Sequence, residues 1–169
     1  MSASKHHTVT DSPYGPLTLV ADADDMLCGL YMEGQRHRPA EETFGPRDDT
    51  LRAFAEAREQ LSAYFAGDLT DFTLRLNLAG TPFQQRVWEQ LTLIPYGETR
   101  SYGQLATALG NPTASRAVGL ANGRNPIGII VPCHRVIGST GSLTGYGGGL
   151  ARKQRLLEFE KTEKGESLF

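Results

Sequence analysis

Cysteine is scarce in this chain of 169 residues: there are two, Cys28 and Cys133, and they lie far apart with no paired spacing. That excludes a disulfide framework and a zinc cluster of the usual spacings. No apolar run approaches the length of a signal peptide or a membrane span, so the chain reads as a cytoplasmic protein in a reducing setting. Tryptophan occurs once and tyrosine and phenylalanine together thirteen times, which leaves the core mainly to aliphatic side chains. Acidic residues run short in one region only. Residues 1–80 carry 7 Lys+Arg and 13 Asp+Glu, whereas residues 81–157 carry 8 against 2. The overall charge of −2 therefore hides an acidic first half and a basic second half, and only the second is suited to a polyanion.

In the first half, Thr8 to Val20 reads as two extended segments around the turn Ser12-Pro13-Tyr14-Gly15-Pro16, and Met26 to Met32 as a partner for them. Arg36 to Asp49 is polar and reads as loop. Leu51, Phe54, Arg58, Leu61 and Phe65 recur at helical spacing, with Gly67 placed to end the helix. Phe72, Leu74, Leu76 and Leu78 alternate with polar residues and predict a half-buried strand. The expected organisation is a small α/β support domain over residues 1–79 and a second, mainly helical domain over residues 80–169.

The second half begins with a helix-start signal, Thr81-Pro82-Phe83-Gln84, in which a threonine cap, a proline in the first turn and a glutamine close a capping box. Ser101-Tyr102-Gly103-Gln104 repeats the pattern, and Gly110-Asn111-Pro112 separates that helix from another over about Thr113 to Asn122. Two short helices joined by a tight turn fit a helix-turn-helix and also a plain helical hairpin. Arg116 is the one long side chain near the start of the second helix. Its small neighbours suit contact with phosphates and sugars, or insertion of the arginine, better than base reading.

Ile130-Val131-Pro132-Cys133-His134-Arg135-Val136 holds the chemistry. A thiol is a nucleophile as thiolate, and His134 and Arg135 are candidate helpers directly beside it. Proline ahead of the thiol fixes the backbone there. From these residues alone, an inert buried cysteine, a Cys-His hydrolase and a group-transfer site all stay open. The Gly147-Gly148-Gly149 run lacks Walker and dinucleotide spacing, which argues against a nucleotide cofactor. Glu160 falls between Leu156 and Leu157 on a helical wheel, so its carboxylate is expected on an apolar face, where it needs a partner.

Taken together, Pro132-Cys133-His134-Arg135-Val136, Gly145-Tyr146-Gly147-Gly148-Gly149, Leu156-Leu157-Glu158-Phe159-Glu160, Ser101-Tyr102-Gly103-Gln104, Ser115-Arg116-Ala117-Val118-Gly119 and Asn125-Pro126 closely resemble the DNA alkyltransferases that repair O6-alkylguanine. The resemblance runs from about Phe83 to Glu160. It implies an α/β fold class: an RNase H-like N-terminal α/β domain followed by a helical domain with a winged helix-turn-helix-like DNA-binding motif. It implies irreversible, single-use transfer of an alkyl group from guanine, with O4-alkylthymine a second candidate, to Cys133 after base flipping. His134 would be the base, working through a water, and Glu160 its orienting carboxylate. Tyr102 would assist rotation of the nucleotide and donate to the departing guanine. Arg116 would fill the stack, Asn125 brace the turn before the active-site strand, and Tyr146 and Gly147 wall the base pocket. Backbone groups of Cys133 and Val136 would read the base edge, and Ser101 and Arg135 are placed on the DNA-binding side. The implied partner is double-stranded DNA carrying alkylated guanine, met by a monomer with neither cofactor nor membrane; some members carry zinc in the N-terminal domain, but Cys28, His6, His7 and His37 lack a matching spacing and no metal is expected here. Asn122 stands where a longer apolar side chain occurs in other members, and Cys28 reads as structural.

Overall fold

The computed structural model describes residues 4–141 and 146–163, and the chain divides into two compact units, Met1–Ala79 and Gly80–Phe169. In the first, β1 (His6–Thr10), β2 (Leu17–Ala21) and β3 (Leu27–Met32) form an antiparallel meander in that order. Ser12 shapes the first turn: its hydroxyl donates to the Gly15 carbonyl and accepts from the Tyr14 amide. β2 is buried at every position because both sheet faces are covered. On one face lies α1 (Arg52–Phe65), whose Ala53, Phe54, Ala57, Leu61 and Tyr64 are buried.

The other face explains the 36–49 loop. A single 3-10 turn, Glu41–Phe44, drives Phe44 against Tyr31, ring on ring at 5.4 Å, with Val20 in the same cluster and Cys28 packed beside it. Arg38 lies over the Phe44 ring and reaches back to the Met32 carbonyl and the Thr18 hydroxyl. A polar stretch thus acts as a cover through one phenylalanine and one arginine.

The strand expected over residues 72–78 is not a strand. Alternation survives in burial, but hydrogen bonding to β3 is confined to the Leu27–Leu76 bridge, flanked by Leu27 N–H to the Arg75 carbonyl and Asn77 N–H to the Leu27 carbonyl. Beyond the bridge a side chain diverts the backbone: Thr73 N–H donates to Gln60 Oε1, while the Asn77 side-chain amide donates to Asp22.

In the second unit, α2 (Pro82–Thr92) and α3 (Tyr102–Ala108) both begin with complete capping boxes, Thr81 with Gln84 and Ser101 with Gln104. Gly80 must lack a side chain, since a Cβ there would lie 2.5 Å from the Trp88 ring. Arg86 closes the end of α3 by donating to the Leu109 carbonyl. Gly110, at φ 80°, turns the chain toward α4 (Ser115–Gly123). Trp88 Nε1–H donates to the Ala121 carbonyl at 2.9 Å and pins α4 on α2. A short parallel pair, β4 (Arg100–Ser101) with β5 (Val136–Ile137), supplies the wing-like element, and α5 (Leu150–Glu163) follows. The expected Gly145 lies outside the described residues.

Candidate active site

The reactive segment is a series of turns. Ile127 to Val131, the apolar run that leads into Pro132, is itself turned: Ile130 N–H bonds the Gly128 carbonyl, Val131 N–H bonds the Ile127 carbonyl, and Ile129 sits at φ 69°. A β-branched residue there costs about 1–3 kcal/mol, so the surroundings must hold it. Asn125 does: its amide donates to the Val131 carbonyl at 2.8 Å and its oxygen accepts from Ile127 N–H at 3.0 Å. The brace expected of Asn125 is therefore a clamp across a strained turn.

Pro132 cannot donate, and the chain winds into a 3-10 turn, Cys133–Arg135. The active-site strand that the resemblance implies is a turn at this point: Cys133 N–H donates to the Val131 carbonyl and Arg135 N–H to the Pro132 carbonyl. Both Cys133 and His134 are buried. Burial pushes the Cys133 thiol up, against the pull of the Asn125 amide and the Lys153 ammonium. The resting sulfur is thus a neutral thiol, contrary to the expectation of a thiol lowered by its neighbours.

Glu160 reaches this turn from α5 and is fully buried. Its Oε2 pairs with His134 Nε2 at 2.8 Å. Arg135 donates from Nε to Oε1 at 2.8 Å and from Nη2 to Oε2 at 3.0 Å. Burial alone would raise the carboxyl, but His134 and Arg135 together hold it well below the usual carboxylate range. An ionised Oε2 accepts, so the proton of neutral His134 sits on Nε2. Burial pushes the imidazole below its ordinary value despite Glu160, which keeps it neutral. Nδ1 is then a lone pair with no hydrogen-bond partner among the described residues. An unprotonated, buried, unpartnered nitrogen, carried by the residue that follows the thiol in the same turn, is a base able to take a proton.

Arg135 is a correction. Expected on the DNA-binding side, it is buried instead: besides Glu160 it donates to the Ile94 carbonyl at 2.7 Å and lies over the Tyr96 ring. Its planar fork fits the carboxylate, and a buried Glu160 needs that charge.

The comparisons with known proteins bear on the same residues. Residues 82–162 match the family model described as 6-O-methylguanine DNA methyltransferase, DNA binding domain, and residues 5–78 match the ribonuclease-like domain of that name. The chain belongs to the 6-O-methylguanine DNA methyltransferase family. It is 57% identical over 157 residues to the methylated-DNA--protein-cysteine methyltransferase of Mycobacterium tuberculosis, covering 93% of each chain. It is 48% identical over 155 residues to that of Methanosarcina acetivorans, covering 92% of this chain and 97% of the relative. A crystal structure of Mycobacterium tuberculosis OGT in complex with DNA matches with a TM-score of 0.85 at 55% identity, over 94% of each chain.

Within this methyltransferase fold the other expected residues fall as follows. Tyr102 opens α3, and Gly119 of α4 faces its ring, 3.7 Å from where a Cβ would stand. Arg116 is exposed on α4. Val136 is buried and its N–H caps the 3-10 turn at Cys133. Tyr146 is buried just before Gly147 in the turn entering α5. The Ser101 hydroxyl caps α3, accepting from Gln104 N–H at 3.0 Å. Asn122, buried, donates to the Cys133 carbonyl at 3.4 Å.

One residue escaped the sequence reading. Lys153 is buried on α5, with Nζ 6.0 Å from the centre of the Tyr102 ring, and burial brings its ammonium down to about 8. It lies seven residues before Glu160, which places both on one helical stripe, with Leu156 between them. That spacing was the available signal. No group of three or more His, Cys, Asp or Glu able to hold a metal occurs among the described residues, and no described helix is long and apolar enough to cross a membrane.

Proposed function

We propose that this protein repairs DNA by taking the alkyl group of O6-alkylguanine onto Cys133, once per chain and irreversibly. The observation that carries the reading is the buried His134–Glu160 pair, with an unpartnered Nδ1 on the residue that follows the buried Cys133 thiol. The thiol proton passes to His134 Nδ1 through a bridging water, and Glu160 stabilises the imidazolium that results. The Lys153 ammonium and the Asn125 amide support the thiolate that remains. Sulfur then attacks the alkyl carbon in line with O6: the S–C bond forms, the C–O6 bond breaks, and the electron pair stays with guanine. Tyr102 donates a proton to the departing base and is reprotonated from the imidazolium, so the thiol proton ends on guanine. The product is a thioether, whose sulfur is a poor leaving group, so the acceptor thiol is not regenerated.

Cys133 lies 6% exposed, so a base stacked in a duplex cannot reach it and must be flipped out. Arg116 on the exposed side of α4 fills the gap. Gly147 and Tyr146 line the pocket for the base, which Cys133 and Val136 read through their backbone groups. The partner is duplex DNA, met by a monomer. Both cysteines are free thiols, and an acceptor thiol needs the reducing cytoplasm. Titrating a methylated duplex against the protein tests the reading: repaired guanine should plateau at one per chain, and continuing turnover would refute it.

A further inference from the structure

α4 has a face that the core does not use. Val118, Ala121 and Asn122 are buried, and the Trp88 bond to the Ala121 carbonyl fixes the rotation of the helix. At about 100° per residue, Arg116, Leu120 and Arg124 then fall within roughly 80° of one another on the opposite side. All three are exposed. Leu120 keeps 70% of its surface in water, more than any other large apolar side chain among the described residues. Neither Arg116 nor Arg124 has a side-chain hydrogen bond or ion pair among the described residues, whereas Arg86, Arg100 and Arg135 all do. The stripe is a leucine between two uncompensated cations.

We propose that Leu120 is an apolar wedge for the minor groove of duplex DNA, packing on deoxyribose and base edges beside the nucleotide that Arg116 replaces, while Arg124 takes a backbone phosphate. The proposal rests on the alkyl-transfer reading. Charge complementarity selects the polyanion, and its sugars are the apolar surface within reach of a side chain flanked by phosphate-seeking cations. Side chains of leucine type part base steps when inserted from the minor groove. One helical turn separates Leu120 from Arg116, about 6 Å of rise, which is just under two base steps of about 3.4 Å each. Arg116 can therefore stand in the stack while Leu120 meets the second step along. Ala117, at the edge of the stripe, leaves the backbone room to approach.

The test is the ratio of alkylation rates on an O6-methylguanine duplex and on the free O6-methylguanine base, measured for the wild type, Leu120→Ala and Leu120→Met. Losing the wedge should lower that ratio about tenfold in Leu120→Ala, roughly one lost apolar contact, with Leu120→Met restoring most of it. In duplex binding against salt, Leu120→Ala should keep the wild-type slope and Arg124→Ala should reduce it by about one. An unchanged ratio in Leu120→Ala, or equal losses on both substrates, overturns the wedge. Failure of the wild type to take label from the duplex would instead overturn the alkyl-transfer reading.

Discussion

In the N-terminal unit arginines meet carboxylates at the surface, Arg38 with Glu41, Arg47 with Asp49 and Arg52 with Glu56, and the sheet beneath is closed by apolar packing. In the C-terminal unit Glu160, His134, Arg135 and Lys153 are buried around a thiol, and Arg116 on α4 and Arg124 at its C-terminal cap have no side-chain partner among the described residues. Exposed pairs are screened and worth little, so the first arrangement serves solubility and leaves the fold to its core. Charges taken out of water are costly unless each is matched, so Glu160, His134 and Arg135 persist only as a complete set. Stability and chemistry are thus separable in one unit and fused in the other.

The largest effect that would break this contrast is at Glu160. Glu160→Gln leaves Arg135 buried without its anion, which should cost about 3–5 kcal/mol in denaturant unfolding. Alkyl transfer should fall by about 10²–10⁴ in stopped-flow assays, since His134 loses its orientation and support. The folded-state pKa of Glu160 lies below its ordinary value of 4.5, so its contribution is present above that value and is lost as the pH falls below it. Acid unfolding of the wild type should therefore be steeper than that of the variant.

Arg116→Ala comes next, with repair of duplex DNA falling about tenfold or more relative to reaction with the free base, if filling the stack is worth at least one base contact. Equal loss on both substrates would remove Arg116 from the extrusion step. A smaller effect is expected at Lys153. Its folded-state pKa is depressed from 10.5 to about 8, so burying the cation costs stability below about pH 8 and the cost is relieved as the pH rises to 10.5. Lys153→Met should be the more stable form at pH 7, with a margin that closes between pH 8 and 10.5, and should react more slowly for want of the charge beside Cys133. Least of all, Arg47→Ala should change stability by under about 1 kcal/mol and leave alkyl transfer untouched.

Features written within four residues of one another were legible in the sequence. The two capping boxes and the turn at Ser12 needed nothing from elsewhere in the chain, and each formed with the hydrogen bonds its residue types dictate. Glu160 was legible because a carboxylate on an apolar helical face must find a partner, and His134 was the partner available. Arg135 was misread because its ion pair spans 25 residues and, adjacent to the thiol, it looked like a surface base contact. The strand over residues 72–78 failed for a related reason: Gln60, distant in sequence, took the Thr73 N–H that a ladder would have used. Ile129 gave no local warning, since its left-handed backbone is imposed by the Asn125 clamp. The cover formed by Phe44 and Arg38 was hidden in a segment whose composition reads as loop.

The fate of one sulfur, Cys133 Sγ, decides whether the protein is a single-use acceptor, and intact-protein mass spectrometry with peptide mapping reads it directly. After incubation with excess O6-methylguanine duplex, every chain should gain a single methyl group, located on Cys133, with Cys28 unmodified and no further gain on prolonged exposure. An unmodified Cys133 alongside repaired guanine, or a methyl group on any other residue, would contradict it.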